Sequence, residues 1–223
     1  MLTVDRLHVN LGGVPILRGL SFHVSRGTTA AIVGRNGAGK TTTLRAIMGL
    51  VPASGGTISL DGRPLTALPP HRRPHVGIGY APEDRQMIAA LTVEDNLLLP
   101  AQACEFGRAR TATRLDQVYA ILPELRGWRT RFAGTLSGGQ QRLVALGRAA
   151  MTASRLLILD EPFQGIAPAL AARYAKVLEA LRTSDADLSI FIAESNLGPI
   201  AALAETTYTL ERGQLTEPAP PPT

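Results

Sequence analysis

Apolar and polar residues alternate over residues 3–11 and again over 17–24, the spacing of half-buried strands, with Gly12-Gly13 and Arg26-Gly27 placed where turns belong. The pattern then changes. Residues 28–33 (TTAAIV) form a compact apolar run, as a strand buried on both faces requires. A glycine-rich loop occupies 34–39, and residues 41–48 carry helical spacing until Gly49 stops them. Residues 57–60 followed by Asp61-Gly62 predict another strand and a tight turn.

From about residue 91 to 150 the periodicity becomes helical. Thr92 with Asp95 three residues on is an acidic form of an N-cap pattern, and residues 114–122 and 140–151 place apolar side chains at helical intervals. Beyond them the spacing predicts a short buried strand at 155–160 (RLLILD), a helix at 168–182, a strand at 188–193 and a final strand over 208–215 that turns at Arg212-Gly213. Strands alternating with helices predict a parallel α/β sheet interrupted by a mostly helical insert at about 89–150. Residues 1–217 thus read as one domain, and the Pro-rich stretch 218–223, unable to build a core, as a solvated tail.

Composition narrows the function. A chain of 223 residues supports a sizeable core without staples. Cys104 is the only cysteine, which excludes an intrachain disulfide and a four-thiolate zinc site and suits a reducing compartment. The first residues lack the basic start and apolar core of a signal peptide, and no apolar run approaches the roughly 18–20 residues that cross a bilayer. The chain is therefore not expected to be a membrane channel itself. The net charge of +5 is modest and unclustered beyond Arg72-Arg73 and the 126–131 stretch, so no nucleic-acid partner is expected. Within that charge, Lys occurs only at positions 40 and 176, and all the other basic residues among the 23 are Arg. A position that keeps Lys in such a chain points to a need for a compact ammonium.

Lys40 lies in Gly34-Arg35-Asn36-Gly37-Ala38-Gly39-Lys40-Thr41, which fits G-x-x-x-x-G-K-[ST] at every fixed position and stands between a predicted strand and a predicted helix. Glycines let backbone N–H groups converge on phosphate oxygens at the positive end of a helix. Lys40 would neutralise the terminal phosphates, the Thr41 hydroxyl would ligate Mg²⁺, and Thr42 would extend the cradle. The apolar run 156–159 ends at Asp160-Glu161. A carboxylate at that place suits the same Mg²⁺, and Glu161, pointing elsewhere, is positioned to take a proton from an attacking water. Leu136-Ser137-Gly138-Gly139-Gln140 opens another helix with exposed donors and reads as a second anion loop, or simply as an N-cap at Ser137.

Together the phosphate loop, LSGGQ and LLILDE resemble the nucleotide-binding subunit of ATP-binding cassette (ABC) transporters, over about residues 2–215. The 120 residues from Lys40 to Asp160 also resemble that family's spacing. The resemblance implies an α/β P-loop NTPase cassette with a RecA-like parallel-sheet core, an N-terminal antiparallel β subdomain and a helical subdomain. It further implies ATP and Mg²⁺ as ligands and head-to-tail pairing of two subunits, in which each LSGGQ reaches the γ-phosphate held by its partner. Attachment to integral membrane permease subunits at the cytoplasmic face of the inner membrane, with a solute-binding protein acting indirectly, follows from the same source. The pairing is left open between homodimer and heterodimer.

Within the family, residues 34–50, 77–85 (GIGYAPEDR), 91–99, 134–141 and 165–168 are similar to high-affinity branched-chain amino acid uptake ATPases. His71-Arg72-Arg73 also resembles urea and amide importers, and residues 160–163 (DEPF) resemble lipopolysaccharide-export ATPases. Non-transport members of the family fit less well: only 95 residues lie between Thr41 and Ser137, too few for long coiled coils, and the chain holds one set of motifs.

Three positions depart from the family pattern. Leu11 stands where an aromatic ring usually stacks on adenine, which removes the π-face and predicts weak purine selectivity. Glu83 replaces the usual Gln of the Mg²⁺-sensing loop and still offers an oxygen. Ser195, after Glu194, replaces the usual His and cannot bring an imidazole to the γ-phosphate, so hydrolysis is expected either to be slower or to rest more heavily on Glu161. In addition, Ala167 takes the place of an Asp that the family uses across its dimer.

Overall fold

The computed structural model describes residues 1–216, so the expected tail at 218–223 lies outside the described residues. In chain order the elements are β1 (Leu2–Leu11), β2 (Val14–Val24), β3 (Thr29–Val33), α1 (Lys40–Ile47), β4 (Gly55–Leu60), β5 (Arg63–Pro64) and β6 (Ile78–Ala81). Then come α2 (Val93–Ala103), α3 (Arg108–Ile121), α4 (Pro123–Trp128), α5 (Gly138–Ala150), β7 (Leu156–Asp160), α6 (Pro168–Ser184), β8 (Ser189–Glu194), β9 (Thr206–Glu211) and β10 (Gln214–Thr216).

β1 and β2 pair antiparallel around Gly12-Gly13, both at positive φ as a two-residue hairpin turn demands. One face of the pair, including Leu2, Val4, Leu7, Leu20 and Phe22, is buried, while the alternate residues meet solvent. β4 and β5 extend this sheet in the order β2-β1-β4-β5. The second sheet runs β10-β9-β3-β8-β7-β6; β6, β7, β8, β3 and β9 are parallel and β10 returns antiparallel.

The second sheet is covered on both faces. Ala30, Ile32, Leu156, Ile158 and Phe191 point to the first sheet and to Leu44 and Ile47 of α1. Ala31, Leu157, Leu159, Ile190 and Ile192 point to the helices α2 to α6. Double burial is why β3, β7 and β8 are continuous apolar runs instead of alternating ones. The C-terminal ends of these strands lie along one edge of the sheet, where ligands bind in open α/β folds.

Two local features differ from the sequence reading. β6 was not foreseen, because GIGYA carries two glycines and little strand propensity. The glycine has a packing reason: a Cβ at Gly79 would stand 2.1 Å from the Ala149 carbonyl oxygen of α5. Arg73, read as half of a basic patch, is buried and donates to the carbonyls of Ala46, Ile47, Leu65 and Leu68, fastening the end of α1 to the segment that leads into β6.

Candidate active site

The site begins at the loop that joins β3 to α1. Gly34 lies so close to Leu210 that a Cβ would meet its carbonyl oxygen at 2.3 Å, and Gly34 N–H donates to the Glu194 carbonyl at 3.2 Å. Gly37 and Gly39 take φ of 81° and 113°, which a side chain would oppose. Gly39 is the N-cap of α1, without a side-chain cap and without an acidic residue in the first turn. The first N–H groups of α1 therefore face outward as unclaimed donors at the positive end of a helix. Ala38 is buried behind the loop.

Lys40 is the centre of this loop, with its side chain only 3% exposed. Its ammonium meets Gly34 O at 2.7 Å, Arg35 O at 3.3 Å and Glu161 Oε1 at 3.0 Å. Three N–H donors thus have three acceptors, and the charge is neutralised by the Glu161 carboxylate. The next residue, Thr41, donates from Oγ1 to Asp160 Oδ1 at 3.1 Å.

Asp160 ends β7 and is buried. Its carboxyl pKa is pushed up to about 6, first by desolvation and then by the nearby Glu83 and Glu161 charges; the Thr41 and Tyr80 hydroxyls oppose the shift. A carboxylate held at this cost, with Thr41 Oγ1 beside it, is a hard-oxygen pair that a divalent cation would relieve. Among the described residues no group of three His, Cys, Asp or Glu side chains converges as a self-sufficient metal cage.

Glu161 has φ of 46°, a left-handed conformation that costs a residue with a Cβ about 1–3 kcal/mol. Neighbours hold it there. Its N–H donates to Ala193 O at 2.9 Å, and Arg142 Nη1 donates to Glu161 O and Pro162 O, each at 2.8 Å. At the end of β8 the buried Glu194 carboxyl accepts from Phe163 N–H at 2.8 Å and from Ser195 N–H at 3.1 Å, and burial pushes its pKa up. Ser195 Oγ lies 3.1 and 3.0 Å from the two Glu161 carboxylate oxygens and 3.0 Å from Asn36 Oδ1. One hydroxyl donates one proton; given to Glu161, it leaves the Ser195 oxygen to accept from the Asn36 amide in its opposite orientation. Ser195 therefore bridges the phosphate loop and Glu161.

The structure brings most of the expected residues to one cavity of about 320 Å³, where Asn36, Gly37, Gly39, Lys40, Thr41, Thr42, Glu83 and Glu161 face a common space. Ile16 and Gln164 also line it and were not foreseen. Gln164 had a usable signal, standing three residues after Glu161 in one turn; Ile16 had none, because nothing in β2 marks it apart from other apolar positions. Leu11 does not line this cavity and is 42% exposed at the end of β1.

The Ser137–Gln140 loop also stays outside the cavity. Ser137 is the N-cap of α5: its Oγ accepts from Gln140 N–H, and the Gln140 side chain accepts from Ser137 N–H, closing a capping box. Arg85 donates to Gly138 O at 3.2 Å, and a Cβ on Gly139 would strike Leu170.

The chain matches the family model described as ABC transporter over residues 17–164. It is 33% identical over 215 residues to the high-affinity branched-chain amino acid transport ATP-binding protein BraG of Pseudomonas aeruginosa, covering 96% of this chain and 91% of that protein. A probable branched-chain amino acid transport ATP-binding protein, LivF of Archaeoglobus fulgidus, is also 33% identical, with 96% and 90% covered. The lipopolysaccharide export system ATP-binding protein LptB of Escherichia coli is 32% identical, with 96% and 88% covered. Among solved structures, a nucleotide-free ATP-binding cassette from an ABC transporter superposes with a TM-score of 0.86 at 26% identity, covering all of this chain and 92% of the other. A cassette in its ADP conformation gives 0.84 at 27% identity, with 97% and 89% covered.

Proposed function

The chain belongs to the ABC transporter family and is an ATP-binding, ATP-hydrolysing subunit; on that premise we propose that it drives uptake of branched-chain or similar amino acids. The observation that carries the catalytic part is the convergence of Lys40, Thr41 and Glu161 on one cavity at the end of β3 and β7, with Asp160 tied to that cavity through the Thr41 hydroxyl. The phosphates of ATP enter the Gly34–Thr41 loop and take the open N–H donors of α1. Lys40 exchanges its contact with Glu161 for phosphate oxygens, which frees the carboxylate to accept a proton from the attacking water. Thr41 and Asp160 would hold Mg²⁺, whose charge supports the developing negative charge on the phosphates, and Glu83 offers a further oxygen at the edge of the same space. Ser195 keeps Glu161 aimed and supplies no proton carrier of its own.

The exclusion of Ser137–Gln140 from the chain's own cavity supports a second copy or a homologue as the contributor of that loop in trans. Two nucleotides then lie between two cassettes. No helix among the described residues is long and apolar enough to cross a membrane; membership of the transporter family supports action on permease partners at the cytoplasmic face. The similarity to two amino acid uptake proteins supports the choice of solute. The similarity to the export protein favours a second reading, an exporter ATPase of the same chemistry.

Glu161→Gln separates binding from hydrolysis. Turnover is expected to fall at least about 100-fold, the range of a lost general base, while ATP drives the variant into a stable dimer seen by size-exclusion chromatography. Unchanged turnover would remove Glu161 from the role. For the solute, deleting the chain from its cell should abolish high-affinity uptake of labelled leucine, with recovery on re-expression of the wild type and none with E161Q. Uptake that survives deletion, together with a defect in lipid export, would move the assignment to the second reading.

A further inference from the structure

α5 carries the Ser137 loop at its start and, one turn later, Arg142. The guanidinium of Arg142 reaches across to the turn after β7 and donates Nη1 to both Glu161 O and Pro162 O at 2.8 Å. Its Nε is buried and finds no partner among the described residues. The side chain leaves one donor unused while making these two contacts, so the carbonyls decide its placement. Burial also lowers its pKa from the ordinary arginine value, a strain that nearby Glu194, Glu83 and Tyr174 partly offset.

The contact falls where the backbone needs holding. Glu161 is left-handed and precedes a proline, a combination with few allowed conformations. Two other tethers fix this turn, Glu161 N–H on Ala193 O and Phe163 N–H on Glu194 Oε1, and both come from β8. Arg142 is the tether that comes from α5. Further along the same helix Arg148 donates to the carbonyls of Arg85 and Gln86 at 2.6 and 2.7 Å, and those residues are also left-handed, at φ of 61° and 43°. One helix therefore grips two turns that hold left-handed residues, the one after β7 and the one after β6.

We propose that Arg142 is a positioning residue for ATP hydrolysis, tying the first turns of α5 to the Glu161 backbone so that the seat of the Ser137 loop and the aim of the Glu161 carboxylate move together. The inference rests on the reading of Glu161 as the general base. A contact made at the Ser137 loop by a partner subunit displaces the start of α5, and Arg142 carries that displacement about one helical turn to the carbonyl of the base. Nothing in this link touches nucleotide, so it governs turnover and leaves ATP affinity alone.

The test uses Arg142→Met, which removes both donors, and Arg142→Lys, which keeps the charge and one donor group. Steady-state ATP hydrolysis by the full chain is measured beside hydrogen exchange at the Glu161, Phe163 and Gln164 amides. For R142M, kcat is expected to fall at least tenfold with KM for ATP within about twofold of wild type, and exchange at those amides to quicken at least tenfold. R142K should recover part of kcat. Wild-type kcat in R142M, unchanged exchange at the three amides, or kcat and ATP binding falling together would each overturn the proposal. Should R142M not fold, R142K must still show lowered kcat at unchanged KM. E161Q measured in parallel separates the two assignments: full turnover there shows that the base reading has failed, and a dead E161Q beside a fully active R142M shows that the positioning role has failed.

Discussion

Two helix starts in this protein, at Gly39 and at Ser137, carry glycine-rich loops, and they are built in opposite ways. α1 begins at Gly39 with no side-chain cap, and its loop is organised around a buried ammonium that already has three acceptors. α5 begins at Ser137 with a complete capping box and no lysine, and none of its first-turn residues lines the cavity. The first loop leaves backbone donors free and supplies its own charge, so it can receive phosphate alone. The second has spent part of its donor capacity on its own side chains, so it suits a contact that is made and broken. The contrast separates a seat from a latch.

Lys40→Met breaks the first loop and has the largest expected effect. It strands the Glu161 carboxylate in a buried site, which costs about 3–5 kcal/mol, and lowers ATP affinity by roughly 100-fold or more as charged hydrogen bonds to phosphate are lost. Chemical denaturation and nucleotide titration check the two numbers.

Asp160→Asn tests the cost stored beside the same loop. With a folded pKa of about 6 against a reference of 3.8, the native state holds the Asp160 proton across that window. The contribution of this group to stability therefore falls as pH rises from about 4 to 6 and stays unfavourable above it. At pH 7.5 D160N is expected to stabilise the nucleotide-free protein by about 1–3 kcal/mol, with the gain shrinking to nothing near pH 4, while hydrolysis is lost. Thermal denaturation across pH follows the first effect; a gain independent of pH would show that the carboxyl charge is not its source.

Ser137→Ala acts on the second loop and should cost only about 1 kcal/mol of stability, the worth of an N-cap. ATP affinity of the isolated chain should not change, whereas turnover should fall. Loss of affinity in the isolated chain would erase the distinction between the two loops. The smallest effect expected concerns the base: with Leu11 exposed and away from the cavity lining, and aliphatic Ile16 facing it, ATP and GTP should bind within tenfold of each other by competition titration.

The phosphate loop was legible because the motif, the strand before it and the helix after it are contiguous, so sequence spacing alone states the geometry. β3, β7 and β8 were legible for a similar reason, since double burial demands apolar runs. What escaped reading was set by contacts between distant segments. β6 owes its place to the backbone of α5 pressing on Gly79, and Arg73 looked like a surface charge until its carbonyl partners were brought to it. In the sequence Glu194 is marked only as the neighbour of Ser195, whereas in the fold its carboxyl accepts from Phe163 N–H and so fastens the turn that holds Glu161. Leu11 is a different case: its role came from resemblance alone, and in the fold it stands exposed at the end of β1, outside the lining of the cavity that Ile16 joins.

The scarcity of lysine has a use at the bench. Lys176 lies exposed on α6, while Lys40 is sealed behind its own loop. An amine-directed acylating reagent should modify the first quickly and the second only when the loop opens. The ratio of the two adducts in a mass spectrum is then an internal clock for that opening, with Lys176 as the reference carried in the same molecule.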